Sequence, residues 1–218
     1  MFTFVMASRR RLLLVIWIVF SCLLSISSKD VLADTGCTVP MKLAIKDSYV
    51  YMTGGICEGD GDKFIQFMQG KGRAYKVIRL NNTGLRVLDA IKIGRYLRAN
   101  KLTTWTDGKQ DVCASACNRV FAGGFKRVYS RADNILTGKN VSSRRGLGYH
   151  YPDATGAKNS QDPFYEQNIL PYLKEMLPAA AVTWIVKTDE GNQTDNMVWL
   201  NGNRAIRLGI ATDSQSPF

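Results

Sequence analysis

Apolar and polar positions fall into short blocks of changing period along this chain of 218 residues. Met41–Ile45 and Tyr49–Thr53 mix β-branched and aromatic residues on either side of Lys46-Asp47-Ser48, which predicts strand, turn and strand. Gly54-Gly55 and Gly59-Asp60-Gly61 break that pattern. From Asp62 to Gln69, Phe64, Ile65, Phe67 and Met68 fall at helical spacing, with Gly70 and Gly72 ending the run. Ala74–Leu80 predicts a strand and Asn81-Asn82-Thr83-Gly84 a turn. Val87, Leu88, Ile91, Ile93, Gly94 and Leu97 then mark an amphipathic helix.

The unit recurs. Leu102–Thr106 predicts a strand, Asp107-Gly108 a turn, and Ala114–Ala122 a small-residue helix stopped by Gly123-Gly124. Phe125–Tyr129 and Leu147–His150 read as further strands. A helix is expected from Pro163 to Met176 behind Asn159-Ser160, kinked or divided by Pro171. Trp184–Lys187 and Met197–Leu200 are β-prone, and Arg204–Leu208 is a last helical turn or two. Strand and helix alternating in units of about 30 residues mark parallel βαβ crossovers. The fold class is therefore α/β, in one domain without a low-complexity linker.

The N-terminus follows a different rule. Arg9, Arg10 and Arg11 precede Leu12–Ile26, a nearly unbroken apolar run that is short for a membrane span of roughly 20 residues. Val31-Leu32-Ala33 offers the side chains a signal peptidase needs. Residues 1–33 are read as a cleaved signal peptide and 34–218 as the mature domain, exported to the periplasm or secreted, touching membrane only through the signal segment. An uncleaved anchor is the competing reading. Ser8-Arg9-Arg10-Arg11-Leu12-Leu13 also partly matches a twin-arginine signal, but the very apolar core suits ordinary secretion better.

The whole chain carries a formal charge of +11. Cleavage removes four basic residues and one acidic residue, leaving +8. That excess suits anionic surroundings, yet no long basic run occurs and Arg144-Arg145 is the densest pair, so no nucleic-acid partner is expected. Four cysteines remain: Cys37, Cys57, Cys113 and Cys117. An even number in an exported chain suggests two disulfides, for which three connectivities exist. Cys37–Cys57 and Cys113–Cys117 are preferred. The first joins two early strands, and the second spans one helical turn, roughly 6 Å between Cα atoms. One histidine and no CxxC pair argue against a metal site, and no cofactor is expected.

The candidate chemistry is concentrated. Ser115 lies in Cys113-Ala114-Ser115-Ala116-Cys117, and His150, the only histidine, follows 35 residues later. A serine among small residues at a helix start, with a lone imidazole beyond a strand, suggests a nucleophile and its base. The competing readings are an ordinary small helix residue and a plain strand-end histidine between Tyr149 and Tyr151. Cys113 or Cys117 as nucleophile is disfavoured, because an oxidising compartment ties thiols up. Asn81-Asn82-Thr83, Asn140-Val141-Ser142 and Asn192-Gln193-Thr194 match glycosylation sequons and are read as coincidental.

With the motifs placed, the order of segments resembles the Clp protease proteolytic-subunit and crotonase superfamily, and within it the exported, Clp-protease-like bacterial members. Gly55-Ile56 with Gly59-Asp60 and Phe64 resembles its opening strand and helix. Leu80-Asn81-Asn82-Thr83-Gly84-Leu85 resembles its I-N-S-P-G-G turn. Ala90, Ile93-Gly94 and Leu97 fit the helix behind that turn. Ala114-Ser115-Ala116 matches the nucleophile turn, followed by Ala122-Gly123-Gly124 with Lys126-Arg127. Gly148-Tyr149-His150-Tyr151-Pro152 resembles its I-H-Q-P segment, and Leu200, Ala205 and Leu208-Gly209-Ile210 its closing pattern.

The resemblance implies acyl transfer: Ser115 attacks a carbonyl, His150 takes its proton, and the amides of Ala116 and of Gly84 or Leu85 hold the oxyanion. It also implies a Clp-like spiral of βαβ units, a peptide or protein substrate and a homo-oligomer. Three departures stand out, one being that Cys113 and Cys117 bracket Ser115, so that an oxidised pair can hold this turn rigid for structural reasons alone. Leu85 occupies a turn position where the family has glycine. The family's aspartate falls at or beside Gln193, flanked by Asp189 and Asp195, of which Asp195 is the candidate. Two functions follow: an exported serine hydrolase, most simply a peptidase, or a non-catalytic binding or assembly protein of the cell envelope on the same scaffold. An acyl-thioester enzyme of crotonase type is third, since export separates the chain from coenzyme A.

Overall fold

The computed structural model describes residues 37–138, 144–151, 162–191 and 197–218. The segment read as a signal peptide, the candidate Asp195 and the sequons at Asn140 and Asn192 lie outside them. The compact unit that carries the site spans Asp34–Phe218.

One mixed sheet organises it. β1 (Lys42–Lys46) and β2 (Tyr49–Ile56) form an antiparallel hairpin, and β2 runs parallel to β3 (Val77–Leu85). β3 is where the sheet forks. Its first half pairs in parallel with β4 (Thr103–Asp107), which carries β6 (Lys126–Ser130) on its far side. Its second half pairs through Asn82 with β5 (Val112–Ala114), which continues to β7 (Gly146–Tyr149) and, antiparallel, β8 (Val198–Trp199). The fork brings the ends of β3, β5 and β7 together.

Helices cover this frame. α1 (Asp60–Gln69) and α2 (Val87–Ala99) follow β2 and β3, and α3 (Cys117–Gly123) follows β5. α2 places Val87, Ala90, Ile91, Gly94 and Leu97 on one buried stripe, the 3.6-residue period that the sequence shows. α2 and α3 cross where Gly94 meets Gly123: a Cβ on Gly123 would run into the Gly94 backbone, so glycine sets how closely the helix behind the serine can pack. A π-helical turn (Tyr165–Ile169), α4 (Leu170–Met176), α5 (Ala179–Glu190) and α6 (Gly202–Leu208) complete the set. Pro171 stands at the first turn of α4, where its missing N–H costs least, and the helix divides there as expected.

Three local expectations change. Trp184–Lys187 lies inside α5, because an alanine run starts the helix and Ala181, Val182, Ile185 and Asp189 share its buried face. Asn81–Gly84 is an extension of β3, held to β2 by Gly54 opposite Asn82 and, across a register shift, Ile56 opposite Leu85. Ala114 ends β5 in place of starting a helix, and α3 begins at Cys117. Both disulfides form with the preferred connectivity, Cys37–Cys57 and Cys113–Cys117, at Cα separations of 5.7 and 5.1 Å. No helix among the described residues is long and apolar enough to cross a membrane.

Candidate active site

Ser115 sits in the tight turn between β5 and α3 with φ of +55°, a left-handed conformation uncommon for residues with a side chain. Three ties keep it there. Its amide donates to the Gly148 carbonyl at 3.0 Å, its own carbonyl accepts from the Asn118 amide at 3.1 Å, and the Cys113–Cys117 disulfide closes the turn on both sides. Strained backbone persists only where the surroundings over-determine it, and such positions cluster at functional sites.

β5 and β7 run in parallel with Ala114 opposite Gly148, so the residues just beyond each strand also meet. His150 Nε2 lies 2.6 Å from Ser115 Oγ. With the ring nitrogen unprotonated, the serine hydroxyl donates to it, the arrangement a base needs to take that proton. Thirty-five residues of sequence separation collapse to one hydrogen bond because two strands share a register.

The end of β3 forms the other wall. Gly84 has φ of +84°, and a Cβ there would sit 2.5 Å from the Ala114 carbonyl oxygen and 2.6 Å from the Ala116 nitrogen. Only glycine permits that approach, so this turn abuts the amide that follows Ser115. The Gly84 N–H donates to Asn82 Oδ1 at 2.8 Å, so the donor expected of it is already engaged. Leu85 adopts φ of +129° and is 46% exposed. A leucine held in glycine's region beside the serine is the most irregular feature of the site.

Asn81 and Asn82 hold β3 in place. Asn81 Oδ1 accepts from the Val112 amide at 3.0 Å and its Nδ2 donates to the Tyr51 hydroxyl at 2.9 Å, bridging the fork in the sheet. Sequence reasoning read this pair as turn residues and missed the role. The available signal was two adjacent asparagines directly following the strand-forming run Val77–Leu80.

Asp189 proves to be engaged elsewhere. It is fully buried, accepting from Arg119 Nη2 at 2.9 Å and from the Tyr165 hydroxyl at 2.9 Å, both at Oδ2. Its Oδ1 has no hydrogen-bond partner among the described residues. Burial pushes this carboxyl up to about 6, against the pull of Arg119 and Tyr165. The same carboxylate raises the Arg119 guanidinium against its own desolvation, and the two side chains form a buried ion pair at 2.9 Å. Arg119 and Asn118 also escaped sequence reasoning. Among the described residues no cluster of three or more His, Cys, Asp or Glu side chains could hold a metal ion.

Compared with the sequences of known families and of curated proteins, the chain matches none. Solved structures do resemble it. A mutant of the 1510-N membrane-bound stomatin-specific protease superposes with a TM-score of 0.52 at 14% identity, over 76% of this chain and 77% of that one. The ClpP protease catalytic domain from Plasmodium falciparum gives 0.52 at 16% identity, over 79% and 87%. An enoyl-CoA hydratase from Mycobacterium marinum superposes more loosely, at 0.45 and 10% identity over 82% and 78%. At such identities the likeness concerns the fold.

Proposed function

We propose that this chain, which has the Clp protease/crotonase superfamily fold, is an exported serine hydrolase acting on peptides, with Ser115 as nucleophile and His150 as base. The observation that carries the reading is the 2.6 Å contact between Ser115 Oγ and His150 Nε2 at a serine held with positive φ. Oxygen attacks the substrate carbonyl carbon as its proton passes to His150 Nε2. The Ala116 and Leu85 amides stabilise the oxyanion, each such donor being worth about 3–4 kcal/mol in the transition state. When the tetrahedral species collapses, the scissile C–N bond breaks and the leaving amine takes the proton from His150. Water then repeats the attack on the acyl-serine, with His150 as base, and restores the free hydroxyl.

Asp195 is the proposed third member, orienting the ring. Two disulfides accord with export. A homo-oligomer accords with the family resemblance and is read out by light scattering.

A second reading, a non-catalytic binding or assembly protein of the cell envelope, is favoured by one observation: Leu85 stands exposed at φ of +129° on the oxyanion wall. Labelling of mature protein with a fluorophosphonate separates the two. Adduct at Ser115 that is lost in Ser115→Ala and His150→Ala supports the hydrolase; folded protein that never labels supports the binding protein.

A further inference from the structure

We infer that the buried Asp189–Arg119 pair is a positioning device for His150, holding the imidazole in reach of Ser115 through the residues that precede and follow it in the chain. The inference rests on the Ser115–His150 reading but concerns different residues. Four elements converge on it: α3 supplies Asn118 and Arg119, α5 supplies Asp189, the π-helical turn supplies Tyr165, and β7 leads into His150.

The first arm runs through Asn118. Arg119 is 2% exposed, so its donors must be answered inside the protein. Nη2 donates to Asp189 Oδ2, and Nη1 donates to Asn118 Oδ1 at 2.7 Å. A guanidinium has donors only. It therefore dictates which way the Asn118 amide faces: the oxygen toward Arg119, the NH2 away from it. That NH2 donates to the Gly148 carbonyl at 3.0 Å. The Ser115 amide donates to the same oxygen, also at 3.0 Å, so both lone pairs are filled. Gly148, two residues before His150, is thus the joint between nucleophile turn and base strand, and the charged pair sets the polarity of one of its two bonds.

The second arm runs through Tyr165, whose hydroxyl donates to Asp189 Oδ2. Its ring stacks on Tyr151, with centroids 5.6 Å apart and planes 13° apart. Tyr151 is the residue after His150. One carboxylate oxygen therefore fixes a partner of the residue two before the histidine and a partner of the residue one after it. The Tyr172 hydroxyl, donating to the Arg119 carbonyl at 2.6 Å, secures the backbone from which Arg119 reaches.

The obvious variant, Asp189→Asn, leaves Arg119 buried without its counter-charge and is expected to unfold. The triple replacement Arg119→Met, Tyr165→Phe, Asp189→Leu removes both charges together and keeps an aromatic ring against Tyr151. A second variant, Asn118→Ala, leaves the ion pair in place and deletes the bond to Gly148 together with the acceptor of Arg119 Nη1. His150 is the only histidine in the chain, so tag-free protein gives a single set of imidazole NMR signals. In both variants those signals are expected to move or broaden while the far-UV circular dichroism holds. The fluorophosphonate labelling rate is expected to fall by about 100-fold, the effect of a misplacement near 1 Å. Folded variants with unchanged His150 signals and wild-type labelling would overturn the inference. If the wild type never labels, the hydrolase reading fails by itself, and the His150 signals alone decide this one: changed signals uphold it, unchanged signals reject it.

Discussion

The two walls of the site are built in opposite ways. The nucleophile turn is tied at every level, by a disulfide, by parallel strand register and by buried hydrogen bonds ending on a charged pair. The oxyanion turn has fewer ties, the Asn82 side chain and the backbone pairing of Leu85 and Arg86 with Ile56 of β2. Asn82 takes the Gly84 amide, and beyond it Leu85 projects toward solvent in a conformation that suits glycine. Strain at Ser115 is held by a disulfide and side-chain hydrogen bonds, whereas strain at Leu85 is held by backbone pairing to β2 with its side chain left exposed. The contrast separates two parts of the proposed catalysis: the wall carrying Ser115 and His150 is built to a fixed geometry, and the wall proposed to hold the oxyanion is built on an exposed, strained leucine.

The largest effect that tests this contrast is at Ser115 and His150. Ser115→Ala removes labelling entirely, and His150→Ala brings it to the limit of detection, loss of the histidine base costing a serine protease about 10⁶-fold in turnover. A His150→Ala protein that labels at the wild-type rate breaks the comparison at its first term.

Next comes the disulfide. Cys113→Ala with Cys117→Ala releases the turn and costs about 2 kcal/mol of stability from loop-closure entropy for so short a loop. Urea titration of wild type and variant checks the stability, and labelling below the denaturation midpoint checks the site. Slower labelling from a folded variant means that the serine wall needs its covalent tie.

Leu85→Gly acts on the other wall. Relief of the positive φ is worth about 1–3 kcal/mol, partly offset by the roughly 0.5–1 kcal/mol lost to glycine's extra freedom in the unfolded chain. The expected outcome is a modest gain in thermal stability and faster labelling, measured by calorimetry and mass spectrometry. A less stable Leu85→Gly protein would show that the leucine side chain packs usefully where it stands.

The smallest effect concerns pH. The folded protein holds Asp189 up to about 6, while an unfolded chain keeps an aspartate near its ordinary value of about 3.9. Between those values the native state binds the extra proton. The contribution of Asp189 is therefore fully present below about pH 4, falls as the pH rises to about 6, and is constant above. The urea midpoint of the wild type relative to the triple variant is expected to drop across that window. A difference independent of pH would mean that Arg119 compensates the carboxylate fully.

Much of the candidate site's arrangement was legible in the sequence. Ser115, His150, both disulfides and the alternating βαβ order are readable because each leaves a local mark: a lone histidine, a bracketed serine, a period of 2 or 3.6 in the apolar positions. Only the tertiary structure decided the rest. That Asn81–Leu85 extends a strand depends on β2 lying alongside it, and that Trp184–Lys187 is helical depends on which face the core buries. Asp189 joins Arg119 across 70 residues because two helices dock on one strand end. Local spacing records what each segment can form, and burial against distant segments selects among those forms, since a charge or a β-branched run is stable only where its partners come to meet it.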